Sequence, residues 1–440
     1  MARATGRELD VWANGVRVGT WRQPARASME FQYDAAWLES PHARPLSLSL
    51  PLPFRAQPIR SKAVESYFDN LLPENEQIRR RLQERFHTNS RDAFDLLTAT
   101  GRDCVGALQI VPGGETPIRT DRIDAVPLTD AEMAKEISRA ISPQSPLDDH
   151  REFRISIAGA QEKTAFLRHE NRWCSPFGST PTTHIFKLPL GVVSEYRADM
   201  SASVENEWLC ARIVGAYGLP VAQCEIAQFG PHKVLVVERF DRRLHSSGRH
   251  WLRLPQEDFA QATGTPWHRK YQSDGGPGLL QIADILRGSQ EAQRDLDTLF
   301  RTQLVFFLLA AVDGHAKNFS IRLHAGGRYQ MTPLYDVLSA WPVIGRKSGE
   351  IPYERAKLAM ALPGSRPHYH LKSIQRRHFG ALAKRVGLST PSAVIDELLA
   401  KTPQVLREIQ RGLPRGFPQA LLERIIAGIE RHSAILASTA

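Results

Sequence analysis

Two periodicities divide the chain. From Arg154 to Arg239 apolar and polar residues alternate in short runs, at Arg154 to Ala158, Thr164 to Arg168, Thr183 to Leu188, Gln223 to Phe229 and Lys233 to Arg239. This is the period of strands that bury one face. A helical segment from Val204 to Tyr217 interrupts them, with Ser203 as its expected N-cap. Glu205 and Glu207 fall in its first turn, where carboxylates meet the positive end of the helix dipole. Beyond Trp251 the spacing turns helical, in Leu296 to Val312, around Phe379 to Val386, and from Val394 onward. A β-rich stretch followed by an α-rich one predicts an α+β chain with two lobes and a cleft between them.

The N-terminal part has its own signature. Asn14-Gly15 sits between two alternating segments and predicts a hairpin with a tight primed turn. A charged helical stretch ending at Phe86 and a strand from Ala107 to Val111 carry this small β-containing domain to residue 112. Residues 113–150 are rich in Pro, Gly, Asp and Thr around a helix from Asp130 to Ile141, and read as a linker. The expected spans are therefore 1–112, 113–150 as linker, 151–245 as a β-rich lobe and 246–440 as a helical lobe. At 440 residues, 42% of them hydrophobic and 24% charged, the chain is long enough for two or three cores and has the composition of a folded globular protein.

Composition also excludes some function classes. Cys104, Cys174, Cys210 and Cys224 lie far apart with no C-x-x-C pair, so neither a zinc site nor a disulfide framework is signalled and a reducing cytoplasm is expected. The longest apolar run, Leu304 to Val312, is too short to cross a bilayer, and no signal-peptide pattern opens the chain. The net charge of +10 favours acidic partners such as nucleic acid. Its clusters, Arg79-Arg80-Arg81, Arg239 to Arg243 and Gln375-Arg376-Arg377-His378, carry no interleaved aromatics and read as solvated surface.

Chemistry is concentrated in a few strings. Asp313-Gly-His-Ala-Lys-Asn318 directly follows an apolar helix expected to end at Val312. An Asp and an Asn five positions apart match a protein-kinase catalytic loop, where the carboxylate accepts the substrate hydroxyl proton and the amide oxygen reaches Mg²⁺. Thr332-Pro-Leu-Tyr-Asp336 follows, with a second Asp that could bridge metal to the phosphates, although Val337 stands where the kinase Asp-Phe-Gly motif has Phe. Lys187 lies in a strand-like segment, where a cation among apolar neighbours needs an anion or a path to water. Ser156 to Lys163 joins two expected strands with small residues that let backbone N–H groups approach phosphate, and Glu238-Arg239-Phe240 closes a strand where a kinase has its hinge. Each string alone has a structural reading as a turn, cap or strand end. Together they stand in the order of a kinase: phosphate loop, strand lysine, hinge, catalytic Asp, metal Asn, metal Asp.

The strings Phe153-Arg-Ile-Ser-Ile-Ala-Gly-Ala-Gln-Glu-Lys-Thr-Ala, Pro181-Thr-Thr-His-Ile-Phe-Lys-Leu-Pro, Val237-Glu-Arg-Phe-Asp-Arg-Arg and Asp313-Gly-His-Ala-Lys-Asn-Phe-Ser resemble the HipA family of toxin kinases. So do Arg44-Pro-Leu-Ser-Leu-Ser-Leu-Pro, Phe68-Asp-Asn-Leu-Leu-Pro, Arg253-Leu-Pro-Gln-Glu-Asp and Tyr271-Gln-Ser-Asp-Gly-Gly-Pro-Gly. The resemblance implies a bilobal kinase fold related to phosphatidylinositol 3/4-kinases and preceded by a small β-containing domain. It implies ATP and Mg²⁺ as cofactors. Ala158, Gly159, Ala160, Gln161, Glu162 and Lys163 would form the nucleotide loop, and Lys187 would contact the ATP phosphates. Glu238, Arg239 and Phe240 would hold adenine. Asp313 would be the catalytic base, Asn318 and Asp336 the metal ligands, and His315, Lys317 and Tyr335 further ATP-binding residues. Ser156 would be autophosphorylated, placing about −1.5 to −2 charges beside the nucleotide loop and acting as an off-switch.

The same resemblance implies partners. These are a HipB-like helix-turn-helix antitoxin, operator DNA bound and repressed through that complex, and a protein substrate of the translation machinery, an aminoacyl-tRNA synthetase such as glutamyl-tRNA synthetase. Its setting would be the cytoplasm, at the nucleoid when bound to the antitoxin, with no membrane, and its effect growth arrest and drug-tolerant persistence. Substrate contacts are expected in Gly345-Arg-Lys-Ser-Gly-Glu-Ile-Pro. Two other readings remain: a kinase of a small molecule or lipid, and a pseudokinase subunit of a DNA-bound repressor complex.

Overall fold

The computed structural model describes residues 6–25, 27–117, 120–141, 156–193 and 196–438. The chain forms two compact units, one of residues 1–188, 227–268 and 321–329, the other of residues 189–226, 269–320 and 330–440. The mixed α and β content is that expected from the two periodicities.

The first unit opens with a four-stranded antiparallel sheet in the order Glu30–Tyr33, Val16–Gln23, Arg7–Ala13, Leu108–Pro112. Asn14 (φ 49°) and Gly15 (φ 81°) both take the left-handed conformation, which gives the expected primed turn a twist that matches its strands. Trp21 is fully buried and stacks on Phe68 at 4.0 Å, with Phe94 tilted against it. Area burial by such rings dominates a core of this size. The helix Glu76–Phe86 starts where Asn75 accepts a hydrogen bond from the Gln77 N–H at 2.8 Å, and it stops at His87, which is left-handed at φ 50°.

A six-stranded sheet has the order Cys224–Phe229, His232–Glu238, His184–Lys187, Lys163–His169, Arg172–Pro176, Ala125–Pro127. The helix Asp130–Ile141 covers it, because Met133 and Ile137 fall one turn apart and pack with Phe166, Phe186, Val234 and Val236. The stretch expected as a linker thus supplies an edge strand and a covering helix. Its Pro and Gly content marks turns, and the two apolar side chains of the helix decide the packing.

The second unit is mainly helical. Its central helix, Ala292–Leu309, is buried on all sides from Thr302 to Leu309, as an apolar run without a polar face requires. Phe307 stacks on His432 of the helix Gln419–Ala437 at 4.0 Å and tilts against Phe379 of Arg376–Val386. Among the described residues no helix is long and apolar enough to cross a membrane.

Four expectations need correction. Ser203 is not the cap of its helix: Ala202 holds that place, and the Ser203 hydroxyl accepts from the Leu190 N–H at 2.9 Å. The helix before Asp313 ends at Leu309 rather than Val312, because Ala310 turns left-handed at φ 48°. Of the strand expected from Arg154 to Ala158, Arg154 and Ile155 lie outside the described residues, and Ser156 to Ala158 are not strand. The basic clusters are only partly solvated surface: Arg79, Arg239, Arg242 and His378 are all buried.

Candidate active site

The sequence-predicted site residues fall into two groups, one in each unit. In the second unit the turn after the central helix presents Asp313, whose side chain is 56% exposed. Gly314 is required next: a Cβ there would lie 2.4 Å from the Phe306 ring. The chain then tightens into a 3-10 turn, Ala316–Asn318, with the His315 N–H donating to the Asp313 carbonyl at 2.8 Å and the Asn318 N–H to the His315 carbonyl at 2.9 Å. His315, Lys317 and Asn318 are buried behind the exposed carboxylate, and His315 Nε2 stands 3.9 Å from Asp313 Oδ1.

Asp336 is brought to the same place by backbone pairing. Leu334 bridges to Val221 as a parallel pair, with its N–H donating to the Pro220 carbonyl and its own carbonyl accepting from Ala222 N–H, both at 2.8 Å. Beyond it, Ser339 Oγ donates to the Leu309 carbonyl at 2.6 Å and Ala340 N–H to that of Ala310 at 3.0 Å, which fastens the segment to the end of the central helix. Asn206 clamps Ser339 from both sides, accepting from its N–H at 2.9 Å and donating to its carbonyl at 2.8 Å. The result is direct contact: Asn318 Nδ2 donates to the Asp336 carbonyl at 3.2 Å, and the Tyr335 hydroxyl to the Lys317 carbonyl at 2.8 Å. Asp336 itself sits at φ 59°, a left-handed conformation that costs a side-chain-bearing residue about 1–2 kcal/mol and that Asp tolerates better than most. With the Asn318 nitrogen engaged by a carbonyl, its oxygen and the Asp336 carboxylate are the hard ligands this pair can offer Mg²⁺, which takes one or two protein oxygens and fills its shell with water and phosphate. Among the described residues no cluster of three or more His, Cys, Asp or Glu is placed to hold a metal by itself.

In the first unit Lys187 is 7% exposed on a central strand, directly opposite Leu235 on one side and Lys163 on the other. Lys163 in turn donates its ammonium to the Ala158 carbonyl, at the start of the loop it closes. The segment Ser156 to Lys163 is held from both ends. Gly159 forms a parallel bridge with Pro73, its carbonyl accepting from Glu74 N–H at 3.1 Å, and Glu162 pairs with Arg81 and accepts through its carbonyl from Leu188 N–H at 3.1 Å. Gln161 donates to the Leu188 carbonyl. Gly159 sits at φ 111°, a conformation that residues with a side chain rarely adopt. Ser156 is fully buried, its hydroxyl donating to the Leu71 carbonyl at 2.8 Å and its N–H to that of Asp103 at 3.2 Å.

Glu238 is exposed at the end of its strand, and Phe240 is half-buried with its carbonyl accepting from Arg322 at 2.9 Å. Arg239 between them is buried. Its guanidinium lies in a buried network with Arg242, Arg253, Asp103 and Asp241, at 3.4 Å from Asp103 and 2.9 Å from Asp241, so only its backbone is left for a ligand. Burial alone would raise the Asp103 carboxyl, but Arg242, Arg239 and Arg253 outweigh it and hold it well below the usual carboxylate range. Burial and the neighbouring Arg239 push Arg242 down to about 10. The network ties the end of the strand His232–Glu238 to the N-terminal sheet domain, with Thr182 N–H on Asp103 at 3.0 Å and Gly106 N–H on Asp241 at 2.7 Å. A buried network of this size is costly when half-made and sets one geometry when complete.

Three residues escaped the sequence reading as site residues. Tyr271 donates to Asp313 Oδ1 at 2.5 Å, Asn206 clamps Ser339, and Asp103 pairs with Arg239, Arg242 and Arg253. Each acts across a long sequence separation, and only Tyr271 lay in a string already picked out. In the loop expected to contact substrate, Gly345 N–H donates to Ile351 at 3.0 Å and Glu350 accepts from Lys347 N–H and Arg424, both at 2.9 Å.

Comparison with known proteins bears on this arrangement. Residues 155–406 match the model of the HipA-like C-terminal domain, and residues 9–111 that of the HipA N-terminal domain. Among curated proteins, Y4mE of Sinorhizobium fredii is 34% identical over 349 residues, 78% of this chain and 80% of that protein. The serine/threonine-protein kinase toxin HipA of Shewanella oneidensis is 28% identical over 358 residues, 77% of this chain and 76% of that one. A solved chain from the complex of Shewanella oneidensis HipA, HipB and operator DNA shares the fold with a TM-score of 0.76 at 23% identity, covering 98% of this chain and 100% of its own. The chain belongs to the HipA family and is a serine/threonine-protein kinase.

Proposed function

We propose that this chain is the toxin of a toxin–antitoxin pair and transfers the γ-phosphate of Mg·ATP to a serine or threonine of a translation protein, with glutamyl-tRNA synthetase the candidate target. The observation that carries the reading is the contact of Asn318 with Asp336 on the turn that begins with exposed Asp313. In the step itself the acceptor hydroxyl oxygen bonds to the γ-phosphorus as the bond from phosphorus to the β,γ-bridging oxygen breaks, ADP leaves, and the hydroxyl proton passes to Asp313. Mg²⁺, when bound, would neutralise charge on the phosphate oxygens. Asn318 and Asp336 would hold it, and His315, Lys317 and Tyr335 would contact the nucleotide beside them. Lys187 and the loop Ala158 to Lys163 take the phosphates, and the chain at Glu238 to Phe240 takes adenine.

Ser156 is the off-switch in this account. Its hydroxyl is buried against the Leu71 carbonyl, so it must leave that pocket to accept a phosphate. A group with about −1.5 to −2 charges and only acceptor oxygens cannot return to face that carbonyl. Autophosphorylation then keeps the nucleotide loop out. A HipB-like antitoxin and operator DNA complete the assembly in the cytoplasm, a reading supported by the Shewanella oneidensis complex and by the net charge of +10. The spans 1–112, 113–150, 151–245 and 246–440 serve as its N-terminal, connecting, nucleotide and catalytic regions.

Incubation of the purified chain with radiolabelled ATP and bacterial lysate tests the reading. Label in a discrete protein band is expected; label confined to small molecules, or none at all, overturns it.

A further inference from the structure

We infer that Tyr271 is a positioning residue for Asp313, fixing one carboxylate oxygen so that the other faces the acceptor hydroxyl; this rests on the reading of Asp313 as the base. The Tyr271 hydroxyl donates to Asp313 Oδ1 at 2.5 Å, within the short range of a charge-assisted O–H···O⁻ bond. Its ring meets His315 edge-on, with centroids 5.0 Å apart, so the tyrosine is braced by the same turn that carries the aspartate. Asp313 needs such a tie. Its side chain is 56% exposed on a turn, where an unrestrained carboxylate samples several rotamers, whereas a base works only within hydrogen-bond reach of the proton it takes.

The loop that presents Tyr271 is itself rigid. Gly276 N–H returns to the Tyr271 carbonyl at 2.9 Å, and Gln272 accepts from Ala361 N–H at 2.8 Å on the strand Lys357–Leu362. A Cβ at Gly276 would lie 2.0 Å from the Arg269 carbonyl, and one at Gly278 2.4 Å from the Gln272 side chain. At Gly276 the string has a physical reason, since the backbone of Arg269 leaves no room there for a side chain. A phenol suits the task because it donates a hydrogen bond while staying neutral at physiological pH.

Kinetics of the full chain on its protein substrate, or on autophosphorylation, test the assignment. Tyr271→Phe keeps the ring on His315 and removes the hydroxyl. It should lower kcat about tenfold while the KM for ATP stays within about twofold. Gln272→Ala, which keeps the hydroxyl but loosens its loop, should give a smaller loss of the same kind. In an Asp313→Asn background Tyr271→Phe should cost nothing further, because the two groups act as one unit. Unchanged or raised kcat in a folded Tyr271→Phe chain overturns the inference, as does phosphate recovered on Tyr271, which would make it an acceptor. Full activity in Asp313→Asn would instead sink the reading of the base, so the two failures are distinct.

Discussion

Asp336 shows how one residue can be chosen twice over, for its charge and for its backbone. At φ 59° it lies where most side chains are strained, and Asp and Asn are the exceptions because a short polar side chain bonds locally. Asp336→Asn keeps that tolerance and removes the carboxylate, so phosphoryl transfer should fall at least about a hundredfold with the thermal midpoint unchanged. Asp336→Ala should lose the same activity and about 1–2 kcal/mol of stability as well, measurable by denaturant unfolding. Equal stability of the two variants would remove strain from the account. At this scale legibility followed sequence distance. The spacing of Asp313 and Asn318 can be read from the sequence because both stand on one turn, while Tyr271 reaches Asp313 from 42 residues upstream and no spacing rule connects them. Arg239 illustrates the same limit, since nothing in its string shows that its guanidinium joins a buried network with Asp103 and Asp241.

Among elements, the N-terminal sheet domain does more than precede the kinase part. Leu71 and Pro73 to Glu74 lie along the loop of Ser156 to Lys163, and Asp103 joins the strand His232–Glu238 to the same domain. A second join is Glu257, fully buried, which accepts from Leu48 N–H at 2.8 Å. Burial pushes its carboxyl up to about 8. An acid raised in this way is neutral in the folded chain and ionises first in the unfolded one, so the protein should be most stable below about pH 4.5 with respect to this group. Stability should then fall by a few kcal/mol as pH rises toward 8 and level off above it. Glu257→Gln should flatten that slope in urea titrations at pH 5 and pH 8; an equal slope in both proteins would contradict the burial argument. None of this was legible in the Arg44 to Pro51 and Arg253 to Asp258 strings, which were conspicuous only by resemblance. The helix Asp130–Ile141 was legible to the residue, yet its role as cover for the sheet was hidden by the turn-rich segments around it.

On the scale of the whole molecule, the division into two units reflects the change in period seen along the chain, but the boundaries do not fall at single points. Segments 227–268 and 321–329 return to the first unit, and 189–226 belongs to the second. Periodicity identifies each strand or helix and is silent on which unit it joins, since that choice is made by contacts distant in sequence. The central claim is the proposal that this kinase uses Asp313 as its base and acts on a translation protein and on its own Ser156. Phosphopeptide mass spectrometry of cells making the active chain, beside cells making Asp313→Asn, tests this most directly. The account predicts phosphopeptides from a translation protein and from the segment around Ser156 in the first culture alone, together with growth arrest there and not in the second. Identical phosphopeptides in both cultures would contradict it.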